Sequence, residues 1–458
     1  MKITKLFFMA ALALLMTACS NNDDNDFPQQ PKTGEGITIT AQLAPKSGNA
    51  ATRALVDKSS YIEAKWAVNE HIAILYEVNS DKKVADARIT EVDGSTGAAT
   101  IEFTVNGSTA DNTPCTLIYP LSAAKDDLSG VKDFATLLAT QNGTLNANLD
   151  VRVGAATIKT TTPGLTDITQ PAAQFCIFKL TMKNIDGSAD VSASSVVISD
   201  QSGMVTTVTP ASGYDKAMYV ALPTSVTTLK FLVTGSDSKK YFNMASGLSL
   251  ETKFYPSTVK LATVGNVIAS NGKCYKNNAA IPDGNTAVAM ITYLGNDAET
   301  DPIYRNGLAL ALNDAASSYT QLWGSTKSET YKRTCLTNQY TSWDTAINDM
   351  AGIANTDALV RHTKHTHPAA NAARNYGALL PTGTSEWFLP SCGQWYKMQT
   401  AAGSYDQLCN NVGMESKDYW SSTEYSTDNA WRSYYDGYSA YSRPAKGHDM
   451  KVRSCLAF

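Results

Sequence analysis

From residue 37 to residue 262, apolar and polar residues alternate in short runs, and helical spacing is almost absent. The first run, "ITITAQL", places Ile37, Ile39, Ala41 and Leu43 on one face and Thr38, Thr40 and Gln42 on the other. A period of two is that of a strand with one buried face. "IAILYEV", "AATIEFTV", "CTLIYPLSA", "VRVGAATI", "FCIFKLTM", "SSVVISD", "MYVALP", "TLKFLVTG" and "KYFNMA" follow, separated by turn residues. Segments of this period bury their apolar faces by stacking sheet on sheet. A Pro, Gly and Thr-rich connector, "KTTTPGLTDITQP", divides the series. The expectation is two β-sandwiches in series, with a boundary near Gly164.

The chain opens "MKITKLFFMAALALLMTACSNNDDND". Lys2 and Lys5 precede an apolar stretch from Leu6 to Met16, too short for a stable membrane span. Thr17 and Ala18 then precede Cys19, a spacing that resembles the lipobox of bacterial lipoproteins. That resemblance implies a signal over residues 1–19 and a diacylated Cys19 in the outer membrane; Met16 stands where leucine is commoner. The acidic "SNNDDND" cannot fold alone. Its position resembles the export signal of surface lipoproteins in Bacteroidota.

Charged residues make up 17% of the 458-residue chain and the formal net charge is -4, with no basic run to suit a nucleic acid. Besides Cys19 there are seven cysteines, an odd number that cannot form a closed disulfide framework. Cys115 and Cys176 sit in strand-like runs and read as small buried hydrophobes. Among the later five, a Cys392–Cys409 bridge is the pairing considered.

Trp66 with "NEHIAIL", then "LIYPLSA", "PAAQFCIFKLTM", and "YVALPT" before "LKFLVTG" occur in this order. Together they resemble the fimbrillin family, pilus subunits of Bacteroidota built of two transthyretin-like sandwiches. The resemblance spans roughly residues 37–262. It implies sandwiches over 54–164 and 165–263, preceded by a tether and removable first strand over 20–53. Fimbrillins are exported as lipoproteins, and an arginine-specific protease then cuts behind the first strand. The matching bond here is Arg53–Ala54. Loss of a strand exposes unpaired backbone groups and an apolar trough, which another subunit's strand can refill.

After Val264 the composition changes: six of the seven tryptophans lie at or beyond Trp323. "TSWDTAINDMAGIAN" predicts a helix with Ser342 as N-cap and Trp343, Ile347, Met350 and Ala354 on one face. "PSCGQWYKMQTAAG" predicts another, with Ser391 and Gln394 at capping-box spacing and Gly403 at the stop. Strands surround them, and in "MKVRSCLAF" Met450, Val452, Leu456 and Phe458 alternate. "WFLPSCGQWYKM", "YWSSTEYSTDNAW" and "KVRSCLAF" are similar to bacterial modules of C-type lectin-like fold, the Fibrobacter succinogenes major paralogous type. The expected class is therefore mainly β: two transthyretin-like sandwiches, then an α+β C-type lectin-like module over 264–458.

The sugar-binding triplets of calcium-dependent lectins do not occur in that module. Glu424 with Asp428 and Asn429, just before Trp431, is the nearest approach. Those oxygens could hold calcium and the indole could stack on a ligand; the plainer reading is a polar loop, with Trp420 and Trp431 in the core. "RHTKHTHP" carries His362, His365 and His367, three imidazoles that could hold zinc but lack a helical register, and it reads as a solvated basic loop. No nucleophile elbow, phosphate loop or kinase signature is present, so the expectation is an adhesive binding protein and not an enzyme. The fimbrillin resemblance implies other pilin subunits as partners. The second sandwich runs straight into the last module, with no free tail to donate, which implies the pilus tip. There the module would meet a glycan or protein on a host or bacterial surface. The alternative is a lipid-anchored surface glycan-binding protein outside any pilus.

Overall fold

The computed structural model describes residues 36–46, 56–57, 62–63, 65–210, 217–316, 321–324, 335–362, 366–415, 418–433 and 444–458. Cys19, the Arg53–Ala54 bond and His365 lie outside these residues. The fold is mainly β, as the alternating pattern requires.

The first sheet comprises β1 (Ile37–Leu43), β4 (His71–Val78), β5 (Asp81–Val92), β6 (Ala99–Val105), β7 (Thr113–Tyr119), β9 (Arg152–Lys159) and β10 (Gly164–Ala173). A small hairpin of β2 (Val56–Asp57) and β3 (Ile62–Glu63) stands outside it. The spatial order is β1-β6-β5-β4-β7-β9-β10, antiparallel throughout. The sheet curls on itself and brings its two edges, β1 and β10, close together around one apolar core. No ladder joins these edges among the described residues.

The expected boundary near Gly164 is moved by this pairing. The stretch read as a connector is a hairpin, and Gly164–Ala173 is the last strand of the first sheet. Register shifts between Thr166 and Thr169, and between Thr169 and Ala172, break its alternation. Bulges of this kind erase the period-two signal while leaving a strand in place.

The second sandwich faces a three-stranded sheet, β14-β11-β17, against a five-stranded one, β16-β15-β12-β13-β8. The strands are β8 (Thr140–Gln141), β11 (Phe175–Asn184), β12 (Ala193–Asp200), β13 (Gly203–Val208), β14 (Met218–Pro223), β15 (Thr228–Gly235), β16 (Lys240–Ser246) and β17 (Phe254–Leu261). Phe178, Leu180, Val196, Ile198, Phe231 and Val233 fill the space between. The excursion holding helix α1 (Phe134–Leu138) and β8 comes from the first domain's sequence but packs on the second. Leu138 and Leu149 cover Ile177, Tyr219 and Phe254. Cys115 and Cys176 are buried free thiols, as expected.

Beyond β17, the strands β18 (Val267–Ala269), β19 (Cys274–Tyr275), β20 (Ala287–Leu294), β21 (Gly307–Ala311) and β26 (Cys455–Ala457) form a sheet in the order β19-β18-β20-β21-β26. One face carries helices α5 (Cys392–Ala402) and α6 (Tyr405–Val412), through Trp395, Met398, Leu408 and Val412. The other face packs on the second sandwich, where Leu232, Phe242 and Met244 meet Ile268, Ile291 and Phe458. Strand β15 is therefore buried between two cores. Short pairs, β22 (Gln321–Leu322) with β25 (Asp449–Met450) and β23 (Trp420–Glu424) with β24 (Ala430–Arg432), complete the module with α2 (Trp343–Ala346), α3 (Gly352–Val360) and α4 (Pro368–Arg374).

The single helix expected from Trp343 onward is two, α2 and α3. Ser342 caps the first, accepting from the Thr345 amide at 3.3 Å. The break falls at Asp349, whose carboxylate accepts from Thr423 Oγ1 at 2.6 Å, Asn355 Nδ2 at 2.9 Å and the Ala351 amide at 3.1 Å. Its carbonyl accepts from Ser391 Oγ at 2.5 Å and the Gly393 amide at 3.1 Å. Those partners lie in other elements, so the residue leaves the helix ladder to serve them. The Ser391–Gln394 capping box forms as expected, and α5 ends on Gly403 at φ 95°.

Candidate functional site

Among the described residues, strand β1 pairs on one side only, with β6, from Ile37 opposite Val105 to Leu43 opposite Ala99. Its inward residues are part of the core: Ile39 and Leu43 are fully buried, Ala41 nearly so, and Ile37 packs at the margin. Thr38, Thr40 and Gln42 face out. The strand therefore fills a slot whose walls are β6 and the nearby edge β10.

The chain leaves this slot through a clasp. The carbonyl of Ala44 accepts two hydrogen bonds, from Trp66 Nε1 at 3.1 Å and from Gln170 Nε2 at 2.9 Å. Two residues later the Lys46 side chain is wholly buried. Its ammonium lies 3.8 Å from the centre of the Trp66 ring and 3.7 Å from that of Tyr119. The two rings meet edge to face at 5.5 Å. Asp150 Oδ2 lies 3.5 Å from the ammonium and Glu70 Oε2 3.8 Å from it. Aromatic faces and carboxylates are the two environments that compensate a cation for lost water.

The walls of this cage are fixed by bonds of their own. Asp150 accepts from Arg152 Nε at 2.8 and 3.0 Å. Glu70 accepts from Tyr119 Oη at 2.9 Å and from the Ala67 amide at 3.1 Å. Burial dominates the titration of both central groups. It pulls Lys46 down to about 7 against the attraction of Asp150 and Glu70. It pushes the Asp150 carboxyl up against Arg152 and Lys46. Lys46 went unnoticed in the sequence because it stands in a stretch of small and polar residues; its partner Asp150 is 104 positions away.

The residues expected to form a ligand site in the last module are placed differently. Glu424 is fully buried. Its carboxylate accepts from the Cys335 amide at 2.9 and 3.0 Å, from the Leu336 amide at 2.9 Å, and from Lys446 Nζ. Trp431 is in the core, its Nε1 donating to the Tyr340 carbonyl at 2.7 Å. Trp420 is equally buried and donates to Gln321. Asp428 is exposed and Asn429 half-buried, both in a turn ordered by Ser426 Oγ. Glu424, Trp420 and Trp431 are thus built into the module's interior, apart from the exposed Asp428. Among the described residues no group of three His, Cys, Asp or Glu side chains is placed to hold a metal.

His367 corrects the expectation of a solvated loop. It is buried, its Nδ1 lies 3.1 Å from the Trp323 carbonyl, and its ring meets those of Trp323 and His362 edge-on. Cys392 and Cys409 are free buried thiols in separate clusters rather than a bridge.

No family profile matches the chain, and no curated protein does. Several solved structures are similar to part of it. One is a candidate cell adhesion protein from Bacteroides ovatus, with 14% identity over 57% of this chain and 98% of the other, at a TM-score of 0.31. Another is a fimbrial assembly protein from Parabacteroides distasonis, with 10% identity over 49% of this chain and 91% of the other, at 0.30. A third, a candidate cell adhesion protein from Bacteroides uniformis, shares 14% identity over 50% of this chain and 94% of the other, at 0.29.

Proposed function

We propose that the chain is the precursor of a pilus tip subunit, an adhesin assembled by strand replacement. The observation that carries this reading is the position of β1: an edge strand, paired on one side only among the described residues, whose inward side chains complete the core of the first domain. Cleavage at Arg53–Ala54 would cut the segment holding it from everything that follows. Departure of β1 uncovers β6 and the trough that held Ile37, Ile39 and Leu43. Refilling that trough with equivalent aliphatic groups contributes about 5 to 8 kcal/mol before ordering costs. The backbone groups of β6 add to this, because leaving them unpaired is costly.

The remaining steps follow from the resemblances. Cys19 is lipidated and holds the precursor at the outer membrane, an arginine-specific protease releases it, and a strand of a neighbouring subunit takes the place of β1. Strand β17 leads within five residues into β18, so the stretch after the second sandwich is built into a folded module. That arrangement suits a subunit that receives a strand and presents a module outward to a glycan or protein on a host or bacterial surface. No reaction is proposed for it.

N-terminal sequencing of the subunit in sheared fibres tests the reading. The expected first residue is Ala54. Recovery of the protein only as a membrane-held form beginning at acylated Cys19 would overturn it and favour the anchored glycan-binding alternative.

A further inference from the structure

The geometry points to a second element of recognition in the vacated slot: a pocket for one long basic side chain, which selects and aligns the incoming strand. This inference rests on the proposed replacement of β1. Trp66, Glu70, Tyr119, Asp150 and Arg152 all lie on the retained side of the Arg53–Ala54 bond, whereas Lys46 lies on the released side. The walls keep their shape without Lys46, through the Arg152–Asp150, Tyr119–Glu70 and Ala67–Glu70 hydrogen bonds. What leaves is the ammonium that stood beside both carboxylates. Asp150 keeps Arg152 and Glu70 keeps Tyr119, next to the two rings that Lys46 had covered. Asp150 and Glu70 lose the attraction of that ammonium and two aromatic faces lose the group that covered them, so the emptied pocket favours a strand that returns a long side chain ending in a cation.

The position of the pocket also sets a register. Along β1 the inward side chains fall at Ile37, Ile39, Ala41 and Leu43, and the basic group enters three residues after the last of them. A strand shifted by two residues would still present apolar side chains inward, so the alternation alone leaves registers two apart equivalent. The basic group removes that ambiguity. The occupant is therefore an extended segment of another subunit with small or aliphatic residues at alternate positions. A lysine or arginine stands three residues beyond the last of these.

The test uses the full chain cleaved after Arg53, with the cut verified by a new Ala54 terminus. Fluorescent peptides spanning residues 36–46 compete with the resident strand, and anisotropy reads their affinity. Four peptides are compared: native, Lys46→Arg, Lys46→Met and Leu43→Ser. The native and Lys46→Arg peptides are expected to bind, and Lys46→Met to bind about tenfold or more weakly. Equal binding of native and Lys46→Met, with Leu43→Ser weakened, overturns the pocket while leaving strand replacement intact. Failure of the native peptide to enter at all overturns strand replacement itself and the pocket with it. Because the substitutions are in the peptide, folding of the protein is the same in every arm.

Discussion

The indole Nε1 of Trp66 donates to the carbonyl oxygen of Ala44 at 3.1 Å, across the exit of the slot that β1 fills. The donor lies on the retained side of the proposed cut at Arg53–Ala54 and the acceptor on the released side. The same ring supplies one face of the Lys46 cage. Trp66→Phe keeps an aromatic ring and removes the donor. Its expected effect is a loss of about 1 kcal/mol in the hold on β1. Hydrogen exchange at the amides of β1 should quicken several-fold, with the strands of the second sandwich unchanged.

Ile39 and Leu43 are the fully buried side chains of β1. Ile39→Ala or Leu43→Ala should each cost about 2 to 5 kcal/mol, because the surrounding core cannot close over the gap. Thr40→Ala, on the exposed face of the same strand, should cost little. Thermal unfolding and limited proteolysis of the full chain distinguish the two faces.

Gly393 sits in the first turn of α5, where its amide bonds to the Asp349 carbonyl. A methyl group there would fall 2.7 Å from the Ile347 carbonyl oxygen and closer still to that of Asp349. Both are backbone atoms of the break between α2 and α3 and cannot rotate away. Gly393→Ala should therefore destabilise the last module by about 3 kcal/mol. The measurement is its unfolding midpoint against the unaltered chain.

Glu424 binds two backbone amides and Lys446 inside the last module. Glu424→Ala leaves the buried Lys446 ammonium without its carboxylate, and the expected cost is about 3 to 5 kcal/mol. Since the carboxylate is already engaged, a chelator should leave the unfolding midpoint unchanged. A midpoint that drops with chelator and recovers with calcium would contradict this assignment.

Lys230 is buried where the second sandwich meets the last module, its Nζ donating to the Ile303 carbonyl at 2.8 Å. Burial pulls its pKa from 10.5 to about 8, against the attraction of Asp301 and Asp200. Between those two values the unfolded chain holds the proton more tightly than the folded one, so this residue's contribution to stability rises with pH. The gain is complete above about pH 10.5 and is lost as pH falls through about 8. It amounts to at most about 3 kcal/mol. The difference in midpoint between native protein and Lys230→Met, followed from pH 8 to 10.5, isolates it from every other group of the chain.

How much of this was legible in the sequence depends on the range of the interaction. The facing of β1 and the capping box of α5 are local patterns, readable over a few residues. The split between α2 and α3 was not, because Asp349 is drawn out of the helix by Ser391, Gly393 and Thr423 from far along the chain. The hairpin at 159–171 was masked by bulges that interrupt its alternation. Strand β15 is buried on both faces, since its outward residues meet the last module, and nothing within "TLKFLVTG" announces a second layer. The buried positions of Lys46, Glu424 and His367 were hidden for a common reason. A charged or polar side chain reads as solvated until distant partners are brought to it.

The Phe458 ring lies against that of Phe242, with centroids 4.3 Å apart, and the amide of Asn306 donates to the Phe458 carbonyl at 2.7 Å. Phe242 belongs to β16, so the last module is bolted to the second sandwich by side chains as well as by the linking backbone. Under the proposed tip assignment, a pull on the module would thus load two interlocked cores in shear, instead of stretching a hinge. The proposed fibre would meet traction with a stiff head.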